Sequence, residues 1–408
     1  MPNDDWIAPD WPQKMFAVQQ FGKPWACIVR LGAIGDNLIV SSVIPLLAEK
    51  YQVEVICQDP NHVIFENNPF ISKLTVKKKG DIPGHEDALV WQNWFKERAK
   101  EYTFFRNLSH SCEVEGAAMV AQTSFYWGDA YRRERLGRSY LEIVHDICEV
   151  RHEFNPRFFP TDEEHQKALE TKKKIGERVV GITLSGSRID KVWPYMALAV
   201  SRIIREMKVP VIMFGGPGKD YVIAEQIVET VKANNGSTEG LHNAITPSDK
   251  VEWEVGTGEH LKLEGPKTPL WPIRRSLSQI QTCDLVIAVD SGLAWGVAME
   301  AMPKIVMVSH ASPRNITTGW HNTVTLHADP ERVPCHPCHR LHDDQSMCTP
   351  NATNTAAACM SDISVDRVLQ EVWNGLNAPV QSTNSIKDVF EEDVGLVLDA
   401  AGAAYLRP

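Results

Sequence analysis

The chain has 408 residues, 43% of them hydrophobic and 23% charged, and a formal net charge of −10. That length allows about two to three domains with a sizeable core, and the acidic balance argues against a general nucleic-acid surface. The first residues, MPNDDWIAPDWPQKMF, lack the apolar core of a secretory signal, and no apolar run is long enough to span a bilayer, so a cytoplasmic location without a transmembrane segment is expected.

Residues 1–25 read as an irregular N-terminal extension rich in Trp and Pro. ACIVRL, from residue 26, is short, apolar and followed by glycine, which predicts a buried strand. A helical apolar pattern covers residues 36–50. VEVICQ and KLTVKK read as further strands, NWFKERAKE as a helix, and YTFFRNL as the next strand. This alternation predicts a parallel α/β sheet. A charged stretch near residues 160–178 reads as a linker, and the alternation then begins again. VVGITLSGS is a strand, WPYMALAVSRIIREM an amphipathic helix, VPVIMFGGPGKD a strand and glycine turn, and YVIAEQIVETVKAN a helix. Residues 235–270 lack periodicity and read as an insertion. RRSLSQIQT (helix), CDLVIAVDSG (strand and turn), LAWGVAMEA (helix) and PKIVMVSH (strand) follow. A polar linker and a docked helix around VGLVLDAAGAAYL are expected in the tail, residues 379–408. The pattern divides the chain into an N-terminal α/β domain, residues 26–170, and a C-terminal one, residues 171–378.

The candidate site residues stand just after strands, where helix N-termini and open backbone amides collect ligands. In RLGAIGD, Gly32 and Gly35 allow a tight turn and Asp36 follows at the helix start, as a cleft-facing carboxylate or as an N-cap. The turn lacks the three-glycine dinucleotide fingerprint, which argues against a nicotinamide-dependent enzyme. In LSGSRIDKVWP, Ser185, Gly186 and Ser187 are small donors beside the cations Arg188 and Lys191, a set able to hold a diphosphate or to form an ordinary turn. Asp290, Ser291 and Gly292 end another strand and open a helix, either as phosphate and sugar contacts or as an N-cap. In RNLSHSCEVEG, His110, Cys112 and Glu113 suggest a polar pocket on the acceptor side. A Cys-His nucleophile is the weaker reading there. Nine cysteines are present, and Cys335, Cys338, Cys348 and Cys359 cluster. C-x2-C spacing lets two thiolates reach one tetrahedral metal, so a structural zinc or iron and four unmetallated thiols are both open, with His336, His339 and His342 as spare ligands.

RLGAIGDNLIVSSVIPLL, NNPFISKLTV, GSRIDKVWP, CDLVIAVDSGLAWGVAM and the cysteine segment through CMSDISVDRVLQEV occur in an order that resembles glycosyltransferase family 9, the ADP-heptose:lipopolysaccharide heptosyltransferases. The resemblance spans roughly residues 26–375. It implies a GT-B fold, with two Rossmann-like domains facing a central cleft, and an inverting transfer from a nucleotide-diphosphate sugar without a catalytic metal. It implies Asp36 as general base, Lys191 as donor-binding lysine, and Asp290, Ser291 and Gly292 as sugar and phosphate contacts. The donor would be ADP-heptose-like, the acceptor a saccharide, a lipid-linked glycan or a protein, and the place of work the cytoplasm or the inner membrane face. The sequence departs from the family in its N-terminal extension, in the 235–270 insertion, and in Trp295, which stands where a histidine is common. These departures motivate an alternative, a non-catalytic nucleotide-sugar-binding or assembly protein on the same fold.

Overall fold

The computed structural model describes residues 22–245 and 273–377, apart from 79, 84–87, 189, 217–218, 343–347, 349 and 355, together with two short strands near the C-terminus. The first half runs β1 (Trp25–Arg30), α1 (Ile34–Ser41), α2 (Ile44–Ala48), β2 (Gln52–Gln58), β3 (Lys73–Lys77), α3 (Ala88–Ala99), β4 (Phe104–Asn107), α4 (Ser111–Glu115), β5 (Ala118–Met119), α5 (Asp129–Leu136) and α6 (Tyr140–Ile147). Its main sheet is parallel in the order β3-β2-β1-β4. The central strands β1 and β2 are buried along most of their length because helices cover a parallel sheet on both faces.

The helix α7 (Asp162–Ile175) connects the halves. The second half runs β6 (Val180–Thr183), α8 (Met196–Arg202), β7 (Val211–Gly215), α9 (Lys219–Asn235), β8 (Leu241–Ile245), α10 (Ile273–Ile280), β9 (Leu285–Val289), α11 (Gly292–Trp295), β10 (Lys304–Met307), α12 (Pro313–Ile316), β11 (Thr323–Leu326), β12 (Arg340–Leu341), α13 (Ala358–Ser361) and α14 (Val365–Asn377). Its parallel sheet has the order β11-β10-β9-β6-β7-β8. That is the doubly wound dinucleotide-fold order, and the first half carries its first four strands. The two Rossmann-like halves expected from the sequence are therefore present. One apolar cluster runs through both, from Ile28 and Leu38 to Leu277 and Trp295.

Local structure departs from the sequence reading in several places. The helix expected over 36–50 is two helices, because Pro45 near the start of α2 has no N–H to continue the ladder. The charged stretch read as a linker is α7. Thr161 and Glu164 close a reciprocal capping box there, with acidic residues in the first turn and lysines in the last. The expected insertion contains β8, which gains its order from pairing with β7 rather than from its own pattern. Residues 246–272 lie outside the described residues. The helix read from LAWGVAMEA stops at Trp295. The described parts of the tail, β13 (Leu396–Leu398) and β14 (Ala404–Leu406), form an antiparallel pair where a helix was expected. Their valine and tyrosine suit strands. No helix among the described residues is long and apolar enough to cross a membrane.

Lys304 opens β10 with its side chain buried, donating to the carbonyls of Glu300 (2.5 Å) and Met302 (2.9 Å). Burial pushes its ammonium down to about 7, from 10.5 in an exposed lysine. Between those values the unfolded chain binds a proton that the native chain has released. The stability contribution of this group therefore rises with pH across that window. Lys304→Met should flatten the rise. Urea midpoints taken near pH 7 and near pH 10 should differ less in the variant than in the parent, and equal differences would show that Lys304 stays charged in the native state.

Candidate functional site

In an open parallel sheet, ligands bind beyond the strand C-termini, at the point where strand order reverses. In the first half that point lies between β1 and β4, and in the second half between β6 and β9. The four strands end at the segments 30–36, 108–113, 184–191 and 290–292, which carry most of the residues singled out in the sequence.

On the first-half side, Asp36 is the third residue of α1, not its cap. Its Oδ2 accepts the Ala33 N–H at 2.8 Å, and its Oδ1 lies 3.0 Å from the guanidinium of Arg30, the last residue of β1. The Asp36 side chain is 26% exposed, so solvent or a ligand can reach it. Gly32 makes room for this carboxylate, because a Cβ there would meet Asp36 Oδ2 at 2.7 Å. Arg30 itself is buried. It donates to the Leu108 carbonyl at 2.5 Å and reaches Glu113 at 3.1 Å. Burial alone would oppose the Arg30 charge, but Asp36 and Glu113 outweigh it and hold the guanidinium protonated. His110 stands at the N-cap position of α4 in the left-handed region, φ 63°, with no capping bond from its side chain. Cys112 is buried, and burial pushes its thiol up to about 12. It is therefore a core thiol, which removes the Cys-His nucleophile.

On the second-half side, Lys191 Nζ pairs with Asp290 Oδ2 at 2.5 Å, and both side chains are largely buried. Gly186 lets the two segments meet, since a Cβ there would stand 2.5 Å from the Asp290 carbonyl oxygen. Ser185 donates to Asp220, which also accepts the Gly216 N–H at 2.7 Å. Its hydroxyl is thus committed inside the half, whereas Ser187 is exposed. Ser291 caps α11 by accepting the Ala294 N–H at 3.4 Å. The capping reading holds for Ser291 and does not hold for Asp290, which is bound to lysine.

The two sides touch through glycine. A Cβ on Gly292 would lie 3.0 Å from Ile34 and 3.1 Å from the Gly35 N. Helices α1 and α11 therefore meet at their N-terminal ends, and Gly35, the residue before Asp36, sits against Gly292. Trp295 is buried behind this contact and packs edge-on against Trp320 at 4.8 Å. That position belongs to the core and carries no titratable group.

Cys335, Cys338, Cys348 and Cys359 line one cavity with Asp190 and His310. None of them forms a disulfide. Asp190 accepts from Ser309 at 2.7 Å and lies 3.3 Å from His310. Burial opposes its ionisation, but these two partners and Lys191 hold the carboxyl well below the ordinary range. His336 and His339 are pushed down by burial, to about 4 and about 3, so both are neutral at pH 7. Among the described residues no group of three or more Cys, His, Asp or Glu is disposed to hold a metal ion. The expected metal centre is thus seen as a convergence of thiols and not as a ligand shell. The same segment joins the two halves. β12 pairs with β5, Arg132 donates to the Cys338 carbonyl at 2.5 Å, and the Ala118 N–H donates to the His339 carbonyl at 2.7 Å.

Sequence reading missed Arg30, Asp220 and the Asp190–His310 pair as members of these clusters. Arg30 had a usable signal, since a charged residue ending an apolar strand must find a partner.

No protein-family profile matches the chain, and no curated protein sequence matches it. Solved structures do. The chain is similar to the crystal structure of a glycosyl transferase family 9 protein from Veillonella parvula DSM 2008, with TM-score 0.55 and 14% identity over 86% of this chain and 97% of that one. It is also similar to E. coli ADP-heptose lps heptosyltransferase II, with TM-score 0.51 and 13% identity over 86% of this chain and 98% of that one. The fold is therefore GT-B, as those structures have it.

Lys191→Met should strand the Asp290 carboxylate in a site that is 7% exposed. Breaking a buried pair on one side costs about 3–5 kcal/mol, so the urea midpoint should fall sharply, and adding Asp290→Asn should recover much of it. A single variant as stable as the parent would mean that the pair is solvated in the native protein.

Proposed function

We propose that the protein is an inverting glycosyltransferase that moves a heptose-like sugar from an ADP-linked donor to an acceptor hydroxyl, with Asp36 as general base. The observation that carries this reading is the contact of Gly35 with Gly292, which brings the turn that bears the partly exposed Asp36 carboxylate to the turn that follows the buried Lys191–Asp290 pair. As the acceptor oxygen attacks the anomeric carbon, its proton passes to the Asp36 carboxylate. The new C–O bond forms on the face opposite the diphosphate, and the electrons of the old bond leave with the phosphate oxygen. The transition state has oxocarbenium character. The departing charge is met by Lys191, by the exposed Ser187 and by the backbone donors of the 291–292 turn. Asp290 orients Lys191 and can accept from sugar hydroxyls. Nothing in this scheme requires a catalytic metal. The acceptor is a saccharide, a lipid-linked glycan or a protein, bound on the side of Gly32 and His110. The GT-B fold supports this reading.

Two measurements test it. Of ADP, UDP, GDP, CMP and NAD, ADP should raise the melting temperature most, by mass action on the native state. Asp36→Asn should reduce transfer from ADP-heptose by about 10²-fold or more while leaving the ADP shift intact. Transfer at the parent rate in that variant would remove Asp36 as base. ADP-heptose binding without turnover over a broad acceptor panel would favour the non-catalytic alternative.

A second reading concerns the cysteine segment. A structural zinc or iron held by Cys335, Cys338, Cys348 and Cys359 is supported by their convergence on one cavity and by the C-x2-C spacing of the first pair. Such an ion would supply a cross-link where the segment joins the two halves. Elemental analysis of protein purified without chelator should find about one zinc or iron per chain. Neither element at that level would leave four thiols.

A further inference from the structure

We propose that Arg30 is the positioning residue for Asp36, and that Glu113 is what positions Arg30. The proposal rests on the reading of Asp36 as the base and adds the residues that hold it in place. Asp36 projects from the first turn of α1, where an aspartate has several staggered rotamers. Two contacts select one of them. The Ala33 N–H donates to Oδ2 at 2.8 Å, and Arg30 meets Oδ1 at 3.0 Å. The first contact comes from the turn between β1 and α1, which also contains Gly32. The second comes from the end of a central strand whose flanking residues are buried.

An arginine side chain has rotamer freedom of its own, so it can fix another group only if it is itself fixed. Three things fix Arg30. Its side chain is 1% exposed. One terminal nitrogen donates to the Leu108 carbonyl at 2.5 Å. The other lies 3.1 Å and 3.3 Å from the two oxygens of Glu113, and the same nitrogen also contacts Asp36. One planar guanidinium thus ties the end of β1 to the end of β4 and to α4, the two sides of the first-half switch point. The wall that places the carboxylate therefore depends on an ion triad and not on a loop. Two carboxylates share one cation, so Asp36 is not neutralised one-to-one. Its side chain keeps 26% of its surface open, on which an acceptor hydroxyl can approach. A base held in advance of binding avoids an ordering cost at the moment of attack, and a misplacement near 1 Å costs about 10²-fold in rate.

The test uses the full chain with ADP-heptose as donor, following ADP release to water or to an added acceptor, and crystal structures of the same variants. Arg30→Ala should lower kcat by about 10²-fold with KM for donor changed by less than about threefold. Added guanidinium below denaturing concentration should restore kcat more than about tenfold, and Arg30→Lys should restore it only in part, since a single ammonium lacks the planar fork that puts one nitrogen on Leu108 and the other on the two carboxylates. Glu113→Ala should lower kcat in the same direction and Glu113→Gln less, since its amide oxygen still accepts from the guanidinium. In the crystals of Arg30→Ala and Glu113→Ala, the Asp36 carboxylate should leave its contact with the Ala33 N–H. If Arg30→Ala does not fold, Glu113→Ala, at a partly exposed site, carries the test. An Asp36 carboxylate unmoved in these crystals, or kcat at the parent value in Arg30→Ala, overturns the proposal. Absence of turnover by the parent chain would count against the transferase reading alone, and the position of Asp36 in the variants would still decide the role of Arg30.

Discussion

The contact of Gly35 with Gly292 is the constraint on which the site depends. Each glycine lies in the strand-to-helix turn of a different half; a Cβ on Gly35 would just touch the Gly292 Cα at 3.4 Å, whereas one on Gly292 would press on the facing helix. A Cβ on Gly292 would fall inside ordinary van der Waals distance of Ile34 and the Gly35 backbone. Overpacking of that kind is relieved by separating the helices, which here means separating the two switch points. The apolar cluster that runs from β1 through α1 to α11 and Trp295 holds the contact from behind. Trp295 thus acts in packing at a position where a polar side chain would have faced the same buried wall.

Around this apolar hinge the charges are arranged in short, buried clusters at strand ends. Arg30 with Asp36 and Glu113, Lys191 with Asp290, and Asp190 with Ser309 and His310 all stand where β1, β6, β9 and β10 terminate. Buried ion pairs contribute little net stability, because desolvation offsets their attraction. Their concentration at strand ends instead marks the crevice, where charge has to be held in fixed geometry. The cysteine segment reaches from this crevice to α5 and β5, so its backbone is part of what keeps the halves in register.

How much of this could be read in the sequence varies by element. The strands ACIVRL, VEVICQ, VVGITL and DLVIAV are continuous apolar runs bounded by glycine or polar residues, and that pattern survives in β1, β2, β6 and β9. Lys191, Asp290, Ser291, Gly292, Gly32, Gly35 and Asp36 were placed after strands, and the structure puts them there. The pattern failed where order comes from a partner. β8 has no apolar alternation and is a strand because β7 lies beside it. The charged α7 looked like a linker because its helical signal is its caps and end charges, not an apolar stripe.

What the sequence by itself determined is the succession of strand, turn and helix, and so the two doubly wound halves, because these follow from local apolar period and turn chemistry. Only the tertiary structure decided which side chains share a site. Arg30 and Glu113 are 83 positions apart, and Lys191 and Asp290 are 99 apart. Nothing local announces either pair. They form because parallel sheets bring distant strand ends together, and because a charge carried into a core must find its partner wherever the fold has put one.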